Sequence, residues 1–303
     1  MEEQAISDLV RDVLDVDVLA VRHMNFGHNS LTYDVQLPER HIMVRTHHNA
    51  SVFAHTERNI TLLARLGLPV PHIITTDLTM THVPFGYMLL DKIPGRDLRY
   101  ELAAMSHEQM TVLAQQIVSF QHKVMALAPG RGYGFVAIGG EGPYASWLQL
   151  IKDAVYKSLS VVRQGPLGEK MPDIGNKLSQ FEAYLEHVPP TCFLDDLTTK
   201  NVLIQHGRLQ GCIDFDCVCY GDPLFNLSLT QTGVLSDVGE PGLFYVEELC
   251  RCWQITEQQR QVVNFYSAIH AIDFLKFQFE DPGEGHGLWT ERMLKAINSW
   301  LEL

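Results

Sequence analysis

No apolar run in this 303-residue chain approaches the roughly 20 residues that a membrane-spanning helix needs, so a membrane role is not expected. The amino terminus, Met1-Glu2-Glu3-Gln4, is acidic and lacks the order of a secretory leader, which makes the cytoplasm the expected compartment. Basic residues are also scarce. The 23 lysines and arginines stand against 36 aspartates and glutamates, a net charge of −13. Nucleic-acid binding depends on cations that neutralise phosphates, so no nucleic-acid partner is expected, and the charge leans towards a cationic one. The six cysteines include Cys217-Val218-Cys219 and Cys250-Arg251-Cys252, neither of which has the paired spacing of a structural zinc site. They read as reduced thiols. Internal repeats and low-complexity tails are absent, and 46% hydrophobic content suffices for one large domain or two lobes with a substantial core.

What is present is concentrated in one stretch. Phe193-Leu194-Asp195-Asp196-Leu197-Thr198-Thr199-Lys200-Asn201-Val202-Leu203-Ile204 is followed by Gly211-Cys212-Ile213-Asp214-Phe215-Asp216 and by Gly221-Asp222-Pro223. Apolar segments at Val202 to Gln205 and Leu209 to Phe215 flank His206-Gly207-Arg208, which predicts a tight hairpin holding Asn201 and Asp214 near one end of two paired strands. One amide oxygen and one carboxylate are about what a protein supplies to magnesium when substrate phosphates and water complete the shell. Asp196 then faces an incoming hydroxyl.

This combination resembles the catalytic segment of the aminoglycoside phosphotransferase and choline kinase family, which has the protein-kinase-like fold. By position, the resemblance implies that Asp196 is the catalytic aspartate, that Asn201 and Asp214 are the metal ligands, and that Asp222 braces the catalytic loop. Leu194 stands where the family usually has histidine, and Asp195 where it usually has glycine. Asp195 either points into solvent, tunes the neighbouring base, or faces a cationic substrate.

The elements ahead of this stretch come in kinase-like order. Ile6, Leu9, Val10, Val13 and Leu14 fall at helical spacing. Strands are predicted at Val18 to Met24, Leu31 to Leu37, His41 to Thr46, His72 to Thr75 and Gly86 to Leu90, a small five-stranded antiparallel lobe over residues 1–91. The turn Asn25 to Ser30 lies where such folds lay backbone amides over phosphates, and the resemblance places Gly27 and Asn29 there. It also implies that Arg45 contacts the nucleotide phosphates and is oriented by Glu57, which opens a predicted helix ending before Gly67 and Pro69. Asp91-Lys92-Ile93-Pro94-Gly95 breaks the strand pattern, so residues 92–95 read as a hinge, with adenine contacts implied at Leu90, Asp91, Lys92 and Ile93.

From residue 96 to 303 the period is mainly helical. Capping boxes stand at Ser106-His107-Glu108-Gln109 and Thr256-Glu257-Gln258-Gln259, and Met110, Leu113, Ile117, Phe120 and Val124 mark one apolar face. Helices are predicted at Tyr144 to Val162 and Asp173 to His187, while the glycine-rich stretch Ala128 to Pro143 reads as a long surface loop. The family binds its acceptor in the carboxy-terminal helices, where Asp237, Glu247 and Asp273 are candidate substrate contacts, although solvated helix faces are the commoner fate of such acids.

The expected fold is therefore α+β and two-lobed. The expected activity is a magnesium-dependent transfer of the γ-phosphate of ATP or GTP to a hydroxyl of a small acceptor, such as an aminoglycoside or amino alcohol. Leu194, Asp195 and the single glycine of the nucleotide turn support an alternative, a nucleotide-binding regulator with little turnover. A protein-directed kinase is disfavoured because no activation segment separates Asp214 from Gly221-Asp222-Pro223.

Overall fold

A computed structural model of the chain describes residues 3–24, 30–164, 168, 174–280 and 287–302. The chain divides into two compact units. The first comprises Met1–Gly95 with Gln210–Cys217, and the second Arg96–Leu209 with Val218–Leu303. Sequence patterning implies an uninterrupted second lobe over 96–303, but residues 210–217 belong with the first unit. The cause is packing. The Cys212 amide donates to the Pro69 carbonyl at 2.8 Å, and the Asn59 amide donates to the Phe215 carbonyl at 2.9 Å. A side chain at Gly211 would lie 2.6 Å from Ile93 and 2.7 Å from the Pro69 oxygen, so only glycine allows this approach.

In the first unit, helix α1 (Glu3–Leu14) places Ile6, Leu9 and Val10 on its buried face. Strands β1 (Ala20–Met24), β2 (Leu31–Gln36), β3 (His41–His47), β4 (Ile73–Asp77) and β5 (Gly86–Asp91) form one antiparallel sheet in the order β1-β2-β3-β5-β4. Alternation along β2 and β3 sends Tyr33, Val35, Ile42 and Val44 into a core shared with α1. The same alternation sends Asp34 and Arg45 to the opposite face, where register pairs Arg45 with Thr32 on one side and Met88 on the other. Helix α2 runs from Ser51 to Arg65, so it begins well before the predicted start at Glu57. Asn49 Oδ1 accepts from the Ser51 amide at 3.2 Å and its hydroxyl at 2.7 Å, and Phe53 and Thr56 extend the buried face towards the amino terminus.

The second unit starts with β6 (Arg96–Asp97) and the short α3 (Leu98–Glu101), then the long α4 (His107–Met125). The predicted capping box of α4 is formed by Ser106 and Gln109. The Gly-rich segment is folded in rather than a free surface loop. It contains β7 (Gly134–Val136), and the Gly130 and Gly139 amides donate to the Pro190 carbonyl and the Tyr220 hydroxyl. Helices α5 (Trp147–Gln164) and α6 (Ile174–Glu186) precede β8 (Thr191–Phe193), and β7, β11 (Val218–Gly221) and β8 form a three-stranded sheet. Strands β9 (Val202–Gln205) and β10 (Arg208–Cys212) are joined by His206 and Gly207, at φ 53° and 69°. Positive φ at both central residues is what a tight hairpin turn of this kind requires. Among the described residues, four α-helices follow: α7 (Leu224–Asp237), α8 (Leu243–Trp253), α9 (Glu257–Glu280) and α10 (Gly287–Leu301). Trp147, Phe225 and Tyr266 meet edge to face around the start of α7, and Trp147 Nε1 donates to the Tyr266 hydroxyl at 2.8 Å. No helix among the described residues is long and apolar enough to cross a membrane.

Candidate active site

In the second unit, the segment between β8 and β9 is held by two amide side chains. Gln121, fully buried on α4, donates from Nε2 to the Leu194 carbonyl at 2.7 Å and accepts the Leu194 amide at 3.0 Å. Its Nε2 also donates to Asn226 Oδ1 at 2.9 Å, and Asn226 Nδ2 donates to the Asp195 carbonyl at 2.9 Å. Leu194 is itself buried. The backbone here is thus fixed by two amide side chains, and a histidine at position 194 is not needed for rigidity.

Asp196 follows, open to solvent. Its Oδ1 accepts the Thr198 hydroxyl at 2.9 Å, and its carbonyl accepts Asn201 Nδ2 at 2.9 Å. Crowding by surrounding protein raises the Asp196 pKa, opposed by the hydrogen bonds of Thr198 and Asn201 and by the charge of Lys200. Solvent contact screens this effect, which leaves the direction, towards a more basic carboxylate. Asn201 is buried at 8% exposure, with its nitrogen committed to Asp196, which leaves amide oxygen as its ligand chemistry.

Asp222 is placed differently from its expected role. Its carboxylate accepts the Tyr184 and Tyr266 hydroxyls at 2.7 and 2.9 Å and the Leu224 amide at 3.0 Å. Burial raises its pKa, against the lowering effect of those three donors. It therefore anchors the start of α7 and packs α6 and α9 around it. The direct brace on the loop comes from Gln121 and Asn226, and Asn226 lies in the helical turn that Asp222 initiates.

In the first unit, Asp214 is exposed and has φ 65°, left-handed backbone that is uncommon for a residue with a side chain. Arg45 is partly buried and forms a two-pronged pair with Asp216, Nη1 to Oδ1 at 2.8 Å and Nη2 to Oδ2 at 2.7 Å. Burial alone would lower the arginine pKa, but the hydrogen bonds and charge of Asp216, with the charge of Asp214, raise it. The predicted Arg45–Glu57 pair is absent among the described ion pairs. Glu57 is only half-buried, and α2 turns Thr56 and Asn59 inward instead.

Other predicted positions sort as follows. Gly27 and Asn29 lie outside the described residues. Leu90 is buried in β5, the Asp91 amide donates to the His72 carbonyl at 2.9 Å, and the Lys92 amide to the His41 carbonyl at 3.4 Å. The Lys92 ammonium pairs with Asp34 at 2.7 Å, and the Asp91 carboxylate with Arg40 at 2.9 Å. Ile93 packs close to Gly211. Among the acids proposed to meet substrate, Asp237 lies 3.9 Å from Lys200, Glu247 pairs with Arg260 at 2.6 Å, and Asp273 accepts the Ser158 hydroxyl at 2.8 Å. Each has a local protein partner. Asp195 is half-buried, with its backbone held by Asn226. None of the six cysteines is in a disulfide, and among the described residues no three His, Cys, Asp or Glu are grouped to hold a metal.

Sequence reasoning missed Asp216, Thr56, Asn59, Gln121 and Asn226. Gln121 carried a signal: it follows Ile117 at helical spacing on the face of α4 that proves buried, where Phe120 had been placed and is only half-buried.

The phosphotransferase enzyme family profile matches residues 21–255. The chain belongs to this family. Among solved structures, it is similar to aminoglycoside phosphotransferase APH(4)-Ia, with a TM-score of 0.67 at 15% identity over 99% of each chain. A ternary complex of a thermostable mutant of that enzyme with AMP-PNP and hygromycin B gives 0.65 at 14% identity, over 98% of each chain. The GDP complex of an aminoglycoside 2'-phosphotransferase-IIIa mutant gives 0.66 at 14% identity, over 99% of this chain and 98% of that one. No curated protein sequence matches the chain. The fold of this family member is α+β and two-lobed, of the protein-kinase-like type.

Proposed function

We propose that the protein is a small-molecule kinase that moves the γ-phosphate of ATP or GTP to a hydroxyl of its acceptor with magnesium. The observation that carries this reading is the joint constraint on Asp196 and Asn201: an exposed carboxylate of enhanced basicity, tied through its own carbonyl to an amide whose oxygen suits a hard cation. Family membership supports it, as do the nucleotide and hygromycin B complexes of structural relatives.

In this reading Asp196 accepts a hydrogen bond from the acceptor hydroxyl, orients it for in-line attack, and takes its proton late in the transfer. Thr198 holds one carboxylate oxygen so that the other faces the hydroxyl. Asn201 and Asp214 would each offer an oxygen to magnesium, which would supply neutralisation of the charge developing on the phosphates. Both supply oxygen, the donor chemistry that magnesium prefers. Arg45 adds a fixed positive charge beside the nucleotide phosphates, local compensation in a chain of net charge −13. The same acidity favours a cationic acceptor.

Asn201→Ala and Asp214→Asn test the metal assignment through binding alone. By titration calorimetry, each is expected to abolish most of the increase in ATP or GTP affinity that magnesium gives the wild type. Retention of the full magnesium effect in both variants would contradict the assignment.

A further inference from the structure

Asp216 has no role in the reaction as read above, yet it is the residue most tightly engaged with Arg45. Its two oxygens accept from the two terminal nitrogens of the guanidinium, the fork-on-fork geometry in which arginine loses least freedom per hydrogen bond. Arg45 Nε and Nη2 donate in addition to the Ser30 hydroxyl at 3.3 and 3.1 Å. These contacts occupy all but one of the guanidinium N–H groups, which remains on Nη1. The Phe53 ring of α2 lies 5.6 Å from the guanidinium carbon and closes one side.

Helix α2 holds Asp216 rather than Arg45. The Thr56 hydroxyl donates to Asp216 Oδ1 at 2.7 Å, and one turn further on, Asn59 donates to the preceding carbonyl, that of Phe215. A neutral hydroxyl and amide from the helix thus fix a carboxylate borne by the same short segment as Asp214. Everything in this chain of contacts lies within the first unit.

We infer that Asp216 is the positioning residue for Arg45, the role that sequence resemblance gives to Glu57, and that it thereby ties the phosphate-facing guanidinium to the segment carrying Asp214. This rests on the nucleotide-binding reading of Arg45. With the guanidinium plane fixed by Asp216 and Ser30, the remaining Nη1 N–H and the full positive charge face the phosphates, and the Ser30 hydroxyl is left able to donate to the same anion. Because Asp214 and Asp216 share one short segment, a shift of either is felt by the other.

The test is equilibrium binding of ATP and GTP with magnesium, beside adenosine and guanosine, to the full-length protein and to Arg45→Ala, Asp216→Asn, Asp216→Glu and the Arg45→Ala/Asp216→Asn double variant, with folding followed by thermal melting. Each single removal is expected to weaken the preferred triphosphate on the order of tenfold, and the double variant no more than the weaker-binding single, because the pair acts as a unit. Asp216→Glu, which keeps the charge, is expected to recover part of the loss. Nucleoside affinity is expected to stay unchanged, which a general loosening of the unit would not allow. Wild-type triphosphate affinity in Asp216→Asn, or a parallel loss of nucleoside binding, overturns the inference while leaving the kinase reading intact. A wild-type protein that binds neither triphosphate defeats the nucleotide reading itself, and the inference with it.

Discussion

At the scale of single residues, several buried polar groups of the second unit find partners distant in sequence, and one of them, His270, is expected to give stability a pH dependence. His270 on α9 is packed against the Phe225 ring at 4.2 Å, with Nε2 on the Phe225 carbonyl at 3.2 Å. Burial lowers its pKa from 6.5 to about 4, opposed by that carbonyl and by the charge of Asp273. The native protein therefore resists protonation that the unfolded chain accepts. The associated stability is complete above about pH 6.5 and is lost as pH falls towards 4, roughly 3 kcal/mol in all. Urea unfolding of wild type and His270→Gln between pH 7 and 4 is expected to show a shallower decline in the variant. Parallel declines would mean that His270 does not titrate as described.

At the scale of elements, α4 holds the segment between β8 and β9 through one amide. Gln121 sits among Ile117, Val118 and Val124 on the buried face and meets both backbone groups of Leu194. Replacing it with leucine keeps the volume and orphans an N–H and a C=O in the interior. Gln121→Leu is expected to cost about 2–3 kcal/mol in chemical denaturation, and a loss below about 0.5 kcal/mol would show the brace to be dispensable. Elements of this length were legible from sequence: α1 and α4 by their 3.6-residue period, β2 and β3 by alternation, and the starts of α4 and α9 by their capping boxes. Strands β6, β7, β8 and β11 were not, because two to four residues carry no readable period. The early start of α2 was hidden for another reason: its inward face includes Thr56 and Asn59, polar residues whose partners lie on a distant segment.

At the scale of the whole molecule, the order of elements along the chain was readable, and the stretch from Phe193 to Asp216 stood out because it gathers polar and acidic side chains at close spacing. What spacing does not disclose is which charges meet across long separations. Arg45 and Asp216 are 171 residues apart, whereas Glu57 is near in sequence and on the expected helix. For the same reason the assignment of residues 210–217 to the first unit follows from contacts with Pro69, Asn59 and Arg45, and no compositional break announces it.

The most direct test of the account is phosphate transfer from γ-labelled ATP and GTP, with magnesium, to a panel of aminoglycosides, amino alcohols, sugars and nucleosides, by wild type and Asp196→Asn. The account predicts transfer to at least one acceptor hydroxyl by the wild type, reduced by about 100-fold or more in Asp196→Asn while nucleotide affinity is retained. Comparable transfer by Asp196→Asn to the same acceptor would contradict it.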